Sequence, residues 1–133
     1  MVRETGAVRQ RCHEFGPKPQ GYISYLPNGR MHAILTAEDR IHSSALVPTR
    51  DEKAELFDTM IAYAGRYSVD GDRIVHDIEM SWNELWTGSR QLRFFTLYGD
   101  TLTITTAAGP SPRDGREGRS IVILQKVCRH GVQ

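Results

Sequence analysis

The chain has 133 residues, of which 39% are hydrophobic and 25% are charged, as in an ordinary globular domain. Its 17 basic and 16 acidic side chains give a net charge of +1, so the sequence lacks the basic surplus of a nucleic-acid-binding protein. No apolar run reaches the roughly 18 residues of a membrane-spanning helix, and the first residues lack the apolar core of a signal peptide. We therefore expect one domain, residues 1–133, in the cytoplasm, with neither a membrane nor a nucleic-acid partner.

Three turn signals divide most of the chain into β-hairpins. Asn28-Gly29, Asp70-Gly71 and Gly99-Asp100 each separate two runs of strand-forming residues. Two-residue turns of this kind need positive φ, which Gly, Asn and Asp tolerate, and their twist matches antiparallel strands. A further strand is predicted over 120–127, and a weaker one over 8–15. The sequence therefore predicts an all-β antiparallel fold.

One segment between the first two hairpins is predicted to be helical. Thr49 and Glu52 have the spacing of a capping box, in which each side chain bonds the other residue's backbone N–H. An apolar stripe at helical spacing follows, made of Ala54, Phe57, Met60 and Ile61, with Tyr63 on the same helix. We expect this short helix to close one end of a barrel or to pack on the sheet.

Residues 107–119, with the sequence AAGPSPRDGREGR, are rich in glycine, proline and charge, which predicts an exposed, mobile loop. The five histidines and two cysteines include no His-x-His or Cys-x-x-Cys pair, and no glycine-rich phosphate loop occurs. We therefore expect no metal and no cofactor. Cys12 and Cys128 are expected to be free thiols, although neighbouring first and last strands would allow a disulfide.

Strand side chains alternate between two faces, so each hairpin predicts an inner and an outer set. In the second hairpin Tyr67 lies on the same face as Ile74, His76, Ile78, Met80 and Trp82. In the third hairpin the apolar face consists of Arg93, Phe95, Leu97, Leu102 and Ile104. In the first hairpin the more apolar face consists of Tyr22, Ser24, Leu26, Met31, Ala33 and Leu35. Three polar groups, Tyr67, His76 and Arg93, are therefore predicted to share an apolar interior.

An interior arginine needs a partner, because an unpaired buried charge is very costly. Asp77 and Glu79 are predicted to point away from the face that contains Arg93. An acid from elsewhere in the chain, solvent in a cavity, or an anionic ligand would each satisfy the guanidinium, whose planar fork suits a carboxylate.

Histidine and tryptophan also allow more than one interpretation. A neutral core imidazole bonded to Tyr67 or to a main-chain carbonyl is one reading of His76; a ligand contact and a general acid or base are the others. Trp82 and Trp86 are either core aromatics or part of a cavity wall. A small antiparallel barrel often encloses a ligand cavity in which a few polar groups fix the ligand.

The segments GPKPQGYISYLPNGRMHAIL and GRYSVDGDRIVHDIEMSWNELWTGSRQLRFFTLYGD, with the final strand, resemble the lipocalin-like domain family over about residues 16–127. The resemblance implies an antiparallel barrel of about eight or nine strands with one short helix, and a small apolar ligand. Some related barrels act in natural-product biosynthesis. The positions that carry over as cavity or structural residues are Tyr67, His76, Trp86 and Arg93.

The start of the chain departs from that family. Only 16 residues precede Pro17, and the family's Gly-Thr-Trp-like first strand is absent from them. Either the true start lies upstream or the first strand is truncated, and a truncated strand would leave an open sheet edge. An open edge favours pairing with a second copy, so we expect a homodimer.

Three functions follow as hypotheses. The first is a module that binds a small, largely apolar or amphipathic molecule through Tyr67, His76, Trp82, Trp86, Arg93 and Phe95. The second is an isomerase, cyclase or dehydratase that uses the same cavity, with His76 or Tyr67 as acid or base. The third is a protein–protein interaction barrel without a ligand. A hollow interior would favour the first two, and a filled one the third.

Overall fold

The structure is a computed structural model that describes residues 2–5, 10–12, 15–111 and 115–127. One α-helix, α1 (Arg50–Asp58), and one 3₁₀ turn (Glu84–Trp86) accompany the strands in this part of the chain. The strands are β1 (Val2–Thr5), β2 (Gln10–Cys12), β3 (Gln20–Tyr25), β4 (Arg30–Thr36), β5 (Met60–Asp70), β6 (Arg73–Ser81), β7 (Arg90–Tyr98), β8 (Thr101–Thr106), β9 (Gly109–Pro110) and β10 (Glu117–Gln125).

The strands form one antiparallel sheet in the order β2-β1-β10-β8-β7-β6-β5-β4-β3, and β9 pairs with β10 beside this path. The prediction of an antiparallel β fold with one short helix is therefore confirmed. Within the described ranges no backbone pairing joins β3 to β2, so the sheet is not closed there. The inner face of the sheet carries the small apolar core, which consists of Phe15, Met31, Ala33, Ile74, Ile78 and Ile104.

Two of the three hairpins have the predicted faces. The β7–β8 register pairs Phe95 with Ile104 across the Gly99-Asp100 turn, as predicted. In the β5–β6 hairpin the turn is Gly71-Asp72 instead of Asp70-Gly71, so Tyr67 pairs with His76. This register differs from the predicted one by two residues, and a shift of two leaves every side chain on its predicted face.

A β-bulge near the C-terminal end of β6 makes the predicted alternation wrong for the residues that follow it. Gly65 pairs with Ile78, whereas Ala64 pairs with Met80, so Glu79 is an extra residue in β6. An extra residue reverses the alternation beyond it. Ile78 is buried as predicted, but Met80 is 64% exposed and does not belong to the core. Leu97, at the far end of the third hairpin, is also exposed instead of inward.

The prediction for β3 in the first hairpin is wrong. Its register pairs Tyr25 with Met31 and Ile23 with Ala33, one residue away from the predicted pairing. The loop is longer than two residues, because the Leu26 N–H bonds the Arg30 carbonyl and closes a loop over 26–30. A shift of one residue exchanges the two faces of a strand. Tyr25 and Ile23 therefore point inward, and Tyr22 is 67% exposed.

Helix α1 begins as predicted but ends earlier. The Thr49 hydroxyl accepts from the Glu52 N–H, and the Glu52 carboxylate accepts from the Thr49 N–H, which completes the capping box. The helix ends at Asp58, and the segment Met60–Asp70 continues as β5. Tyr63, predicted on the helix, is therefore a strand residue. The apolar stripe was assigned to a helix because a short apolar run fits both the 3.6-residue period of a helix and the two-residue period of a strand.

Residues near both chain ends also differ from the prediction in detail. Strand β1 pairs with β10, so the first and last described strands in chain order are neighbours. Within the predicted loop 107–119, β9 pairs with the start of β10, whereas 112–114 lie outside the described residues. Cys128 lies outside them too, so the state of the two thiols stays a prediction, as does the homodimer.

The close approach at the bulge predicts the effect of one substitution. A Cβ on Gly65, which is buried, would collide with the Asp77 carbonyl oxygen of β6. We expect Gly65→Ala to lower the free energy of unfolding by about 1–3 kcal/mol, measured by urea denaturation. Gly109→Ala is the matched control, because a Cβ there meets no atom within 4 Å. Equal stability of the two variants would contradict the close packing at Gly65.

Candidate ligand-binding cavity

The inner face of the sheet encloses a cavity of about 840 Å³. Small-molecule sites commonly have volumes of roughly 300–1,000 Å³, so this cavity can hold a ligand. Strands β3 to β8 and β10 contribute to its wall, together with the end of α1 and the 3₁₀ turn. Phe57 and Leu85 line it and are also exposed, as are Tyr22 on β3 and Ile34 on β4, so the cavity opens to solvent beside these elements. The interior is therefore hollow.

One wall of the cavity is a row of aromatic rings. Going inward from α1, the rings of Phe57, Trp82, Trp86, Tyr63 and His76 follow one another at centroid distances of 5.9, 5.1, 5.6 and 5.6 Å. The Trp82 indole N–H donates to the Phe57 carbonyl oxygen at 3.3 Å, which fixes the end of α1 to the row. Such spacings are those of favourable ring contacts, and because neighbouring rings are tilted by 35–72° the row presents both ring faces and ring edges.

His76, at the inner end of the row, is bonded at both ring nitrogens. Its side chain is 1% exposed. The Tyr25 hydroxyl lies 2.7 Å from Nε2, and the Tyr63 hydroxyl lies 2.9 Å from Nδ1. These tyrosines come from β3 and β5, so the imidazole on β6 connects three strands. The resulting Tyr25–His76–Tyr63 group is called the tyrosine–histidine chain below.

Burial keeps all three members of the tyrosine–histidine chain neutral. Desolvation, with a smaller contribution from the Arg93 charge, lowers the pKa of His76 to about 4. Desolvation raises the pKa of the Tyr25 and Tyr63 hydroxyls, and the Arg93 charge opposes it in both cases. The imidazole is therefore neutral at neutral pH, with one N–H donor and one acceptor nitrogen.

Arg93, on β7, is the buried charged group of the cavity wall, which the exposed residues Asp58 and Arg90 also line. It is 8% exposed, and its guanidinium donates to the Leu92 carbonyl oxygen at 3.2 Å. In the described residues no carboxylate lies within ion-pair distance of it. The charge of Arg93, with a smaller hydrogen-bonding contribution, lowers the pKa of the Tyr63 hydroxyl against the larger effect of burial. A buried guanidinium with spare donors can receive an acceptor from a ligand.

The neighbouring acids pair with other arginines on the outer face of the sheet. Asp77 accepts from Arg90 at 2.8 Å, and Glu79 from Arg30 at 2.8 Å. Arg66 lies 3.7 Å from Glu79. Asp77 and Glu79 therefore point away from Arg93, as predicted, and no acid from elsewhere in the described residues forms an ion pair with it.

A second, smaller cavity of about 180 Å³ lies on the other side of His76. It is lined by Tyr25, Tyr67, Val69, Ile74, Phe95, Leu102 and Ile104. The Tyr67 hydroxyl donates to the Leu26 carbonyl oxygen at 2.8 Å and thereby holds the β3–β4 loop. Tyr67 also stacks edge-on against Tyr25, with ring centroids 4.9 Å apart.

The six predicted site residues are divided between these two cavities. His76, Trp82, Trp86 and Arg93 line the large one, whereas Tyr67 and Phe95 line the small one. The sequence analysis missed Tyr25 and Tyr63, the two partners of His76. Tyr25 lies on the face of β3 that was predicted to point outward, and choosing the other face would have identified it. Tyr63 was overlooked because it was predicted to be a helix residue.

The described residues contain no group of three or more His, Cys, Asp or Glu side chains that could hold a metal ion. Among the helices of the described ranges, none has the length and apolar character needed to cross a bilayer.

The antiparallel sheet with a ligand-sized interior defines this as a lipocalin-like protein. The sequence profile of the lipocalin-like domain family matches residues 3–127, and the chain belongs to that family. It is 32% identical over 89 residues to the 4'-hydroxy-3'-methoxypropiophenone carrier protein of Aspergillus oryzae. The aligned region covers 61% of this chain and 79% of that protein. No solved structure matches the chain.

The low pKa of His76 predicts how stability depends on pH. The neutral imidazole is favoured in the folded state, whereas the unfolded side chain binds a proton below about pH 6.5. Its stabilising contribution is therefore complete above pH 6.5 and is lost as the pH falls toward about 4. We expect a loss of about 1.4 kcal/mol per pH unit in this window, measured by urea unfolding.

Two variants separate the contribution of His76 from that of other groups. His76→Gln should make the free energy of unfolding less dependent on pH between about pH 6.5 and 4. His32→Gln, at an exposed position, should leave that dependence unchanged. A wild-type slope that persists in His76→Gln would show that another group is responsible.

Proposed function

We propose that this protein binds a small, largely apolar molecule in the large cavity and orients its polar end with Arg93 and with Tyr63, whose hydroxyl is held by His76. The observation that carries the proposal is a cavity of about 840 Å³ whose wall contains a buried arginine without a carboxylate partner in the described residues. In a core filled by side chains, an unpaired guanidinium would only destabilise the folded state, because burying a charge is costly.

The shape of the wall supports an aromatic ligand. The row from Phe57 to His76 offers ring faces and edges along one side of the cavity, and aromatic pairs contribute about 0.5–1.5 kcal/mol beyond their buried area. The name of the Aspergillus oryzae relative denotes a carrier of an aryl ketone, which has a flat ring and a carbonyl oxygen. We extend this class of ligand, a small aromatic molecule with an acceptor oxygen, to this protein.

A titration tests the proposed binding. We expect 4'-hydroxy-3'-methoxypropiophenone to bind with a stoichiometry of one per chain in isothermal titration calorimetry. Trp86→Ala, which opens the aromatic row, should weaken binding by about tenfold, because it removes one ring contact and buried area. Tyr98→Ala, at a position that is 89% exposed, is the control and should bind as the wild type does. An equal effect of the two substitutions would place the ligand elsewhere.

The anchoring role of Arg93 has its own test. Arg93→Met should weaken 3-phenylpropionate by about ten- to hundredfold and its neutral amide far less, because a bond to a charged group contributes about 1.5–3 kcal/mol. Arg66→Met removes an arginine of the outer face, which is 62% exposed, and should change neither affinity. Equal loss for the acid and the amide in Arg93→Met would reject the anchor.

The second candidate is an enzyme that uses the same cavity. It is favoured by His76, a neutral base that lies in the cavity wall and is bonded to two hydroxyls. The two candidates differ in what is recovered after long incubation of the ketone with the protein. Unchanged ketone in chromatography supports a binding protein, and a new product that His76→Gln fails to form supports an enzyme.

A further inference from the structure

The two hydrogen bonds of His76 restrict where the protons of the tyrosine–histidine chain can lie. A neutral imidazole has one N–H, and each tyrosine has one O–H, so the group has three protons. Two of them lie in the Tyr25–Nε2 and Tyr63–Nδ1 bonds. The third must belong to one of the two hydroxyls and point away from the imidazole. Which hydroxyl has this spare proton depends on the tautomer of His76.

The surroundings of Tyr25 decide between the tautomers. Its hydroxyl has no hydrogen-bond acceptor other than His76 Nε2 in the part of the chain that is described. The other residues that line the small cavity are Val69, Ile74, Phe95, Leu102 and Ile104, which are apolar, and Tyr67, whose hydroxyl bonds Leu26. A hydroxyl proton pointing there would meet no acceptor among the described residues and would lose a hydrogen bond, which contributes about 0.5–1.5 kcal/mol. Tyr25 therefore donates to Nε2.

The remaining proton positions follow in sequence. With Nε2 as acceptor, the ring proton lies on Nδ1 and is donated to the Tyr63 oxygen. The proton of Tyr63 is then free, and Tyr63 lines the large cavity beside Arg93. Arg93 can only donate, so both polar groups at this end of the cavity offer donors.

We infer that Tyr25, acting through the tautomer of His76, holds the Tyr63 hydroxyl as a donor toward the large cavity, so that the site selects ligands with an acceptor oxygen. This inference rests on the proposed function and adds the chemical class that the polar end accepts. A ketone oxygen can take one hydrogen bond from Tyr63 and one from Arg93. A ligand that presents a methylene group there leaves both donors unpaired. Tyr63 is a contact residue, and Tyr25 is a positioning residue.

The tautomer can be measured without any ligand. Long-range ¹H–¹⁵N spectra of protein labelled at histidine distinguish Nδ1–H from Nε2–H, and we expect His76 in the Nδ1–H form. In Tyr25→Phe the donor to Nε2 is absent, and the Nε2–H form should become populated. An Nε2–H signal in the wild type would overturn the inference, and an unchanged Nδ1–H signal in Tyr25→Phe would remove the positioning role of Tyr25.

The selectivity is tested with two probes that differ in one group. 4'-Hydroxypropiophenone has a carbonyl where 4-propylphenol has a methylene. The wild type should prefer the ketone by about five- to tenfold in calorimetric affinity, the effect of about one neutral hydrogen bond. Tyr63→Phe should reduce the preference, because Arg93 remains as the second donor, and Tyr98→Phe, at the exposed end of β7, should retain it in full.

The outcomes separate the inference from the function on which it rests. If both probes bind the wild type equally, or if Tyr63→Phe weakens both to the same extent, the inference is wrong and the proposed binding function stands. If neither probe binds, the proposed function fails for this class of ligand, and so does the selectivity. Should Tyr63→Phe fail to fold, the wild-type probe ratio and the wild-type tautomer still decide the inference.

Discussion

The burial of His76 with both ring nitrogens bonded is the interaction on which the site depends. The imidazole is 1% exposed, and its partners come from β3 and β5. Each hydrogen bond contributes only about 1 kcal/mol, but a buried nitrogen without a partner costs about 1–3 kcal/mol. The registers of β3, β5 and β6 are therefore linked: a slip of one residue in β3 would remove Tyr25 from Nε2 and place an unpaired polar atom inside the protein.

The same alternation of side chains separates the charges of the sheet. Asp77 and Glu79 meet Arg90, Arg30 and Arg66 on the outer face, where exposed ion pairs contribute little to stability. Arg93 lies alone on the inner face with tyrosine and histidine. In the described residues, Asp77 and Glu79 are thus neutralised on the outer face, whereas Arg93 is buried on the inner face without a carboxylate. This arrangement weakens the fold, since a buried charge is costly, and the proposed ligand would offset that cost with its acceptor oxygen.

The fold was largely predictable because turn residues and alternation act locally. Gly99-Asp100 fixed the β7–β8 register. The inward position of Arg93 and His76 followed from the alternation of side chains along each strand. The site was predictable only in part, because its remaining members depend on nonlocal geometry. Tyr25 was assigned to the outer face because a two-residue loop was predicted, whereas the bonded pair Leu26 and Arg30 leaves three loop residues, 27–29, and the extra residue exchanges the faces of β3. Tyr63 was assigned to a helix because the apolar run Met60–Tyr63 satisfies both a helical and a strand pattern.

The aromatic row also determines where the tryptophan fluorescence of the protein originates. The chain contains two tryptophans, Trp82 and Trp86, and both lie in the wall of the large cavity. Their rings are 5.1 Å apart and edge-on, so they form one emitting unit at the site. All tryptophan fluorescence of this protein therefore originates at the cavity, and a conjugated molecule that enters it alters the emission without competition from distant indoles. The protein carries its own optical reporter for occupancy of the cavity.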